Sequence, residues 1–167
     1  MRRSPAPADF NGWVAQLAIS SRRQHAKQHL LASGSRALPA LRRGLVHDQA
    51  IVRRQCVNIF DRLLDEDSLG VLVAALNDSE PQVVGRALHA LACDRCKQGS
   101  CRADEETWVP RALTLLHHPN PDLRAAAIDA LGKVTERRPD VTAALAITSQ
   151  TDNDRGLRGM ARRRIGA

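Results

Sequence analysis

Three cysteines, Cys93, Cys96 and Cys101, stand together in CDRCKQGSC. Cys-x2-Cys is the spacing at which two thiolates from one turn reach the same tetrahedral zinc, and Cys101 can fold back as a third. His89 lies one helical turn before Cys93 on the same helix face, and would complete a Cys3His site. Asp104, Glu105 and Glu106 are weaker candidates for the fourth ligand, and Cys56 serves only if the fold brings it near. A structural zinc that pins a loop is therefore the candidate cofactor. Three Cys fall short of the four of a zinc ribbon, so free thiols, a disulfide and, last, an iron–sulfur cluster are the alternatives. His25 and His29, at i and i+4, could also chelate, but without a nearby thiol or acid they read as surface histidines.

The cysteines end a stretch, Asp67 to Arg95, that reads as two short amphipathic helices broken at Asn77–Pro81. Leu69, Leu72, Val73 and Leu76 form one apolar face; Val83, Val84, Ala87, Leu88 and Leu91 form the other. So small a pair cannot bury both faces alone and needs neighbours of its own kind. The periodicity supplies them: helices over 10–19 and 22–31, 37–46 and 51–64, 105–117 and 122–136, 141–148 and 155–164. A shift of 31 residues takes Leu38, Leu41 and Leu45 onto Leu69, Leu72 and Leu76, and Val52, Cys56 and Phe60 onto Val83, Ala87 and Leu91. A shift of 40 carries those second-helix positions onto Leu123, Ala127 and Leu131, so nine residues have been added in the cysteine-bearing turn. A small residue recurs at Ala26, Cys56, Ala87, Ala127 and Ala161, where two helices must approach closely. Pro39 and Pro110 fall on equivalent positions, in the first turn of a first helix.

Composition narrows the classes. Aromatic residues make up 2% of the 167, with no Tyr, so Leu, Ala and Val must do the packing, which suits close-packed helices and not a β-sandwich. The net charge of +7 rests on 22 Arg against 3 Lys. It admits a nucleic acid or another acidic partner, or simply an Arg-rich surface. No window approaches the roughly 20 apolar residues of a membrane span, so no membrane association is expected. Neither a secretory signal nor a cysteine pattern suited to export is evident, and the expected location is cytoplasmic. A Gly-rich phosphate loop, a Gly-x-Ser-x-Gly elbow and a His-Glu-x-x-His motif are all missing.

DQAIVRRQCVNIF, DSEPQVVGRALHAL and PNPDLRAAAIDALGKV resemble the HEAT repeat family, including the HEAT-like repeats of the bilin-lyase type. The resemblance implies an all-α, right-handed α–α superhelix of about five helix pairs. It would form one solenoid domain over 9–167, preceded by a disordered basic tail at 1–8 and carrying its insertion at about 93–104. It further implies that Arg53, Arg124 and Arg158 contact turn acids and hold repeats in register, a ladder that Val84 interrupts. The second helices would line a concave face with Gln28, Asn58, His89, Asp129 and Arg163. A companion row of Gln24, Arg54, Gly85, Ala125 and Gly159 lies beside it. Mixed charge and small residues there suit a protein or peptide, and a scaffold or adaptor is the expected function.

The alternative is a basic, non-catalytic nucleic-acid binder using Arg155, Arg158, Arg162 and Arg163, residues that serve equally as the polar cap a solenoid end requires. An enzyme is the third class. Alkylpurine DNA glycosylases of similar architecture need a Trp-lined cleft, whereas Trp13 and Trp108 belong to widely separated first helices. Repeated His-Glu pairs of the di-iron hydroxylases are missing, and no residue carries bilin-lyase chemistry across.

Overall fold

The computed structural model describes residues 9–63, 65–93 and 103–166, which form ten α-helices and no strand. They fall into five antiparallel pairs: α1 (Phe10–Gln16) with α2 (Ser20–Ala32), α3 (Leu38–Gly44) with α4 (Ala50–Leu63), α5 (Leu69–Ala74) with α6 (Pro81–Ala92), α7 (Glu105–Leu115) with α8 (Pro121–Leu131), and α9 (Pro139–Thr151) with α10 (Arg155–Ile165). Second helices pack in series, α4 on α2 and α6, and α8 on α6 and α10. The expected stack of helix pairs is thus the observed one.

Local sequence sets the ends of these helices. Asp9, Asp104, Asn120 and Asp154 accept hydrogen bonds from the first free N–H groups of α1, α7, α8 and α10, while Pro81, Pro121 and Pro139 start helices where no N–H is needed. At Gly34 the chain turns with φ +58°, a conformation that ends the α2 segment and leads into a 3-10 turn. Several helix ends differ by a few residues from the sequence expectation, α1 stopping at Gln16 and α9 running over Pro139–Thr151, and two differences have a local cause. The second helix of the fourth pair stops at Leu131 rather than 136, because Gly132 begins a run of turns and has the Arg164 side chain against it. Pro110 lies inside α7 and not in its first turn, since the inserted repeat adds a turn of helix, Glu105–Trp108, ahead of it.

The core is aliphatic. Ala26, Cys56, Ala87, Ala127 and Ala161 are all 0% exposed, as close approach of the second helices requires. Trp108 and Phe60 fill the largest buried volumes. Trp13 is buried too, stacked on the imidazole of His29 (centroids 4.0 Å apart) and met edge-on by His25, so these two histidines pack the first repeat rather than sit free. Burial pushes the Cys56 thiol up to about 12, and its Sγ lies against Gly44 inside the core.

Two helices approach closely at Gly44, where a Cβ would overlap Cys56 Sγ and come within 2.9 Å of Val14 Cγ1. Gly44→Ala is therefore expected to destabilise the fold by about 1–3 kcal/mol. Adding Cys56→Ala should recover part of that loss, read as thermal midpoints of the single and double variants.

Candidate functional site

The turns between paired helices share one wiring scheme. Arg23, Arg53, Arg124 and Arg158 each donate to the carbonyl six residues back, at 2.7, 2.8, 3.0 and 2.6 Å, tying each guanidinium to its own turn. Two of them also reach the next turn. Arg53 clasps Asp78 through Nε and Nη2 at 2.7 and 2.8 Å, and Arg124 clasps Asp152 at 2.9 and 3.2 Å while adding Asn153 at 2.8 Å. This is the ladder the resemblance implies. Arg158, in the fifth pair, donates to the carbonyl of its own turn.

Each receiving residue also accepts from the N–H two positions on, Asp78 from Glu80 and Asp152 from Asp154. In the second and fourth turns a histidine does the same through Nδ1, His47 from Gln49 and His118 from Asn120, each at 3.0 Å. The gap at Val84 is therefore matched on both sides: where the Arg is missing, the next turn offers His118 in place of an acid.

A groove of about 720 Å³ opens along the second helices, lined among others by Arg54, Asn58, Gly85, His89, Ala126 and Asp129. Four residues expected on the concave face, Arg54, Asn58, His89 and Asp129, thus meet in one depression, together with Gly85 of the companion row. Gln28 and Arg163 lie outside its lining, and Ala126 stands where Ala125 was expected. Glu80, Arg86 and Asp122 add charge of both signs at its rim. Asp129 is not free: it pairs with Lys133 at 3.6 Å and with Arg164 of the last helix.

Three metal-capable groups stand together, and one of them, His89, also lines the groove. Asp61 of α4, His89 of α6 and Cys93, the residue that ends α6, have donor atoms all within 4.8 Å of one another. His89 Nε2 is 4.0 Å from Asp61 Oδ2, and Asp61 Oδ1 is buried with no hydrogen-bond partner. An unsatisfied buried carboxylate oxygen costs on the order of 1–3 kcal/mol or more. Cys93 is a free, buried thiol. Of the residues expected to bind zinc, His89 and Cys93 are brought together, while Cys96 and Cys101 lie outside the described residues. Asp104 caps α7, and Glu105 and Glu106 are engaged by Arg137 and Arg138 at 2.5 Å. Asp61 was not among the expected ligands, although the 31-residue shift places it opposite Ala92, beside Cys93.

Of the four arginines proposed for phosphate, Arg155, Arg162 and Arg163 are exposed on α10, whereas Arg158 is half-buried on its turn.

Stacked helix pairs with second helices inside define an α-helical solenoid. This chain belongs to the HEAT repeat family, whose pattern matches residues 72–166. Among solved structures it is similar to a chain in the complex of CpcE and CpcF of phycocyanin lyase from Nostoc sp. PCC7120. That alignment has a TM-score of 0.76 and 16% identity, over 93% of this chain and 96% of that one. It is also similar to an engineered protein, with a TM-score of 0.59 and 18% identity over 94% and 78% of the two chains. No curated protein sequence matches. Among the described residues no helix is long and apolar enough to cross a membrane.

The Arg53 hydrogen bonds hold the Asp78 carboxyl below its ordinary range, against the opposing effect of burial. For Asp152 burial is the larger influence and raises it, but the Arg124 bonds and the Asp154 N–H prevail and the net direction is down. A carboxyl lowered by folding stabilises the fold above its unfolded value near 4 and loses that contribution as pH falls through the lower folded value. Asp78→Asn should therefore cost about 1–3 kcal/mol at neutral pH. The gap from the unchanged protein should close towards pH 2, as calorimetric melts across that range would read.

Proposed function

We propose that this chain is a cytoplasmic scaffold that binds a protein or peptide along its groove, with a structural zinc held by Cys93, Cys96, Cys101 and His89 stiffening one wall. The observation that carries the reading is the meeting of Arg54, Asn58, His89 and Asp129, from three successive second helices, in one open groove. Charges of both signs beside Gly85 and Ala126 let a backbone approach closely and be oriented by its side chains. Similarity in fold to a chain of the CpcE–CpcF complex is consistent with a protein partner.

The test is selection of peptides from a display library followed by fluorescence anisotropy. Asn58→Arg with Gln82→Arg should weaken the selected peptide at least about tenfold, or 1.4 kcal/mol, without moving the thermal midpoint. Equal binding by the variant would remove the groove as the site. Asp129 is left alone because replacing it would release Arg164 and Lys133.

A second reading is favoured by the exposed Arg155, Arg162 and Arg163 of α10: a phosphate-driven nucleic-acid contact. Titration of a labelled mixed-sequence duplex separates the two readings. Phosphate-driven affinity falls log-linearly with salt. Tight binding that survives physiological salt and weakens in Arg162→Gln/Arg163→Gln would put nucleic acid first. Binding lost well below that salt would leave the arginines as solvated surface.

A further inference from the structure

We infer that Asp61, together with His89 and Cys93, ligates a zinc-class divalent cation, so that the metal staples the second repeat to the third. This rests on the structural-zinc part of the proposed function and gives one of its four positions to Asp61 of the preceding repeat in place of a loop thiolate. The three donor atoms converge from two helices, α4 and α6, and lie within 4.8 Å of one another. Asp61 and His89 do not satisfy each other, because 4.0 Å is beyond hydrogen-bond reach. Asp61 Oδ1, meanwhile, is buried without a donor. A cation between the three groups answers both facts at once.

The donor set selects the ion. One carboxylate oxygen, one imidazole nitrogen and one thiolate sulfur are ligand types that zinc accepts together, whereas magnesium and calcium take oxygen only. Zinc bond lengths of 2.0–2.3 Å imply ligand–ligand edges of about 3.3–3.8 Å in a tetrahedron. Closing the observed triangle therefore needs side-chain movements of only about 1 Å. Since the thiol must lose its proton on binding, affinity should fall with acid.

Zinc is titrated into the full chain against a chromogenic chelator, for the unchanged protein and for Asp61→Asn, His89→Gln, Cys93→Ser and Cys96→Ser/Cys101→Ser. The expected result is one zinc per chain, bound about 100-fold or more weakly by Asp61→Asn and by His89→Gln, since loss of even an outer-shell partner costs 10–100-fold. Zinc should also raise the thermal midpoint of the unchanged protein and not that of Asp61→Asn. Asp61→Asn is nearly isosteric and His89 is half exposed, so these two carry the test if Cys93→Ser fails to fold. Unweakened binding by Asp61→Asn, with loss in Cys96→Ser/Cys101→Ser, would overturn the assignment of Asp61 and leave the zinc itself standing. No uptake by the unchanged protein would overturn both.

Discussion

A helix pair of this size cannot stand alone, and what lets five of them stand together is contact with the pair before and the pair after. Part of that contact is apolar and unspecific in register. The rest is a planar guanidinium with donors enough for two turns at once: Arg53 and Arg124 each bond two carbonyls of their own turn and clasp the acid of the next. Bidentate geometry fixes direction as well as distance, so these side chains set the position of one repeat on another. Both ion pairs are largely withdrawn from water, with 13% and 8% of the Arg53 and Asp78 side chains exposed and 9% and 3% for Arg124 and Asp152. Removing one partner strands the other, which makes them specific rather than merely attractive.

How much of this could be read from the chain depends on how well each feature repeats. The small residues at Ala26, Cys56, Ala87, Ala127 and Ala161 and the arginines at Arg53 and Arg124 recur at fixed offsets, and the structure uses them as the offsets imply. Arg23 went unnoticed because its turn carries Leu17 where later turns carry His or Asp, so the first repeat looks unlike the rest. His47 and His118 were opaque for a different reason: an imidazole nitrogen caps a turn here in the place of an Asp, and composition does not announce it. Pro110 was misplaced because the repeat alignment matched it to Pro39, although a helix starting at 105 already puts it in the second turn.

Asp61 shows the same limit in the candidate metal cluster. A search for ligands that moves forward from Cys93 looks into the loop, whereas the nearest acid in space belongs to the previous second helix. In a solenoid, neighbours are one period apart, and the residues to ask about are those near position 31 less than the one in hand. His89 then has two neighbourhoods, the groove on one side and Asp61 with Cys93 on the other. Whatever fixes the imidazole on the second side also decides what it can offer on the first.

Between the third and fourth pairs the guanidinium clasp is missing at both of its ends, Val84 and His118, and the same boundary carries the nine added residues. Among the described residues, α6 packs on α8, and Arg111 donates to the Leu76 carbonyl at 3.3 Å. The groove straddles this boundary, with walls from α4 and α6 on one side and α8 on the other. A molecule lying in it would touch both sides of a seam that the arginines leave open, and so act as a tie bar between two repeats.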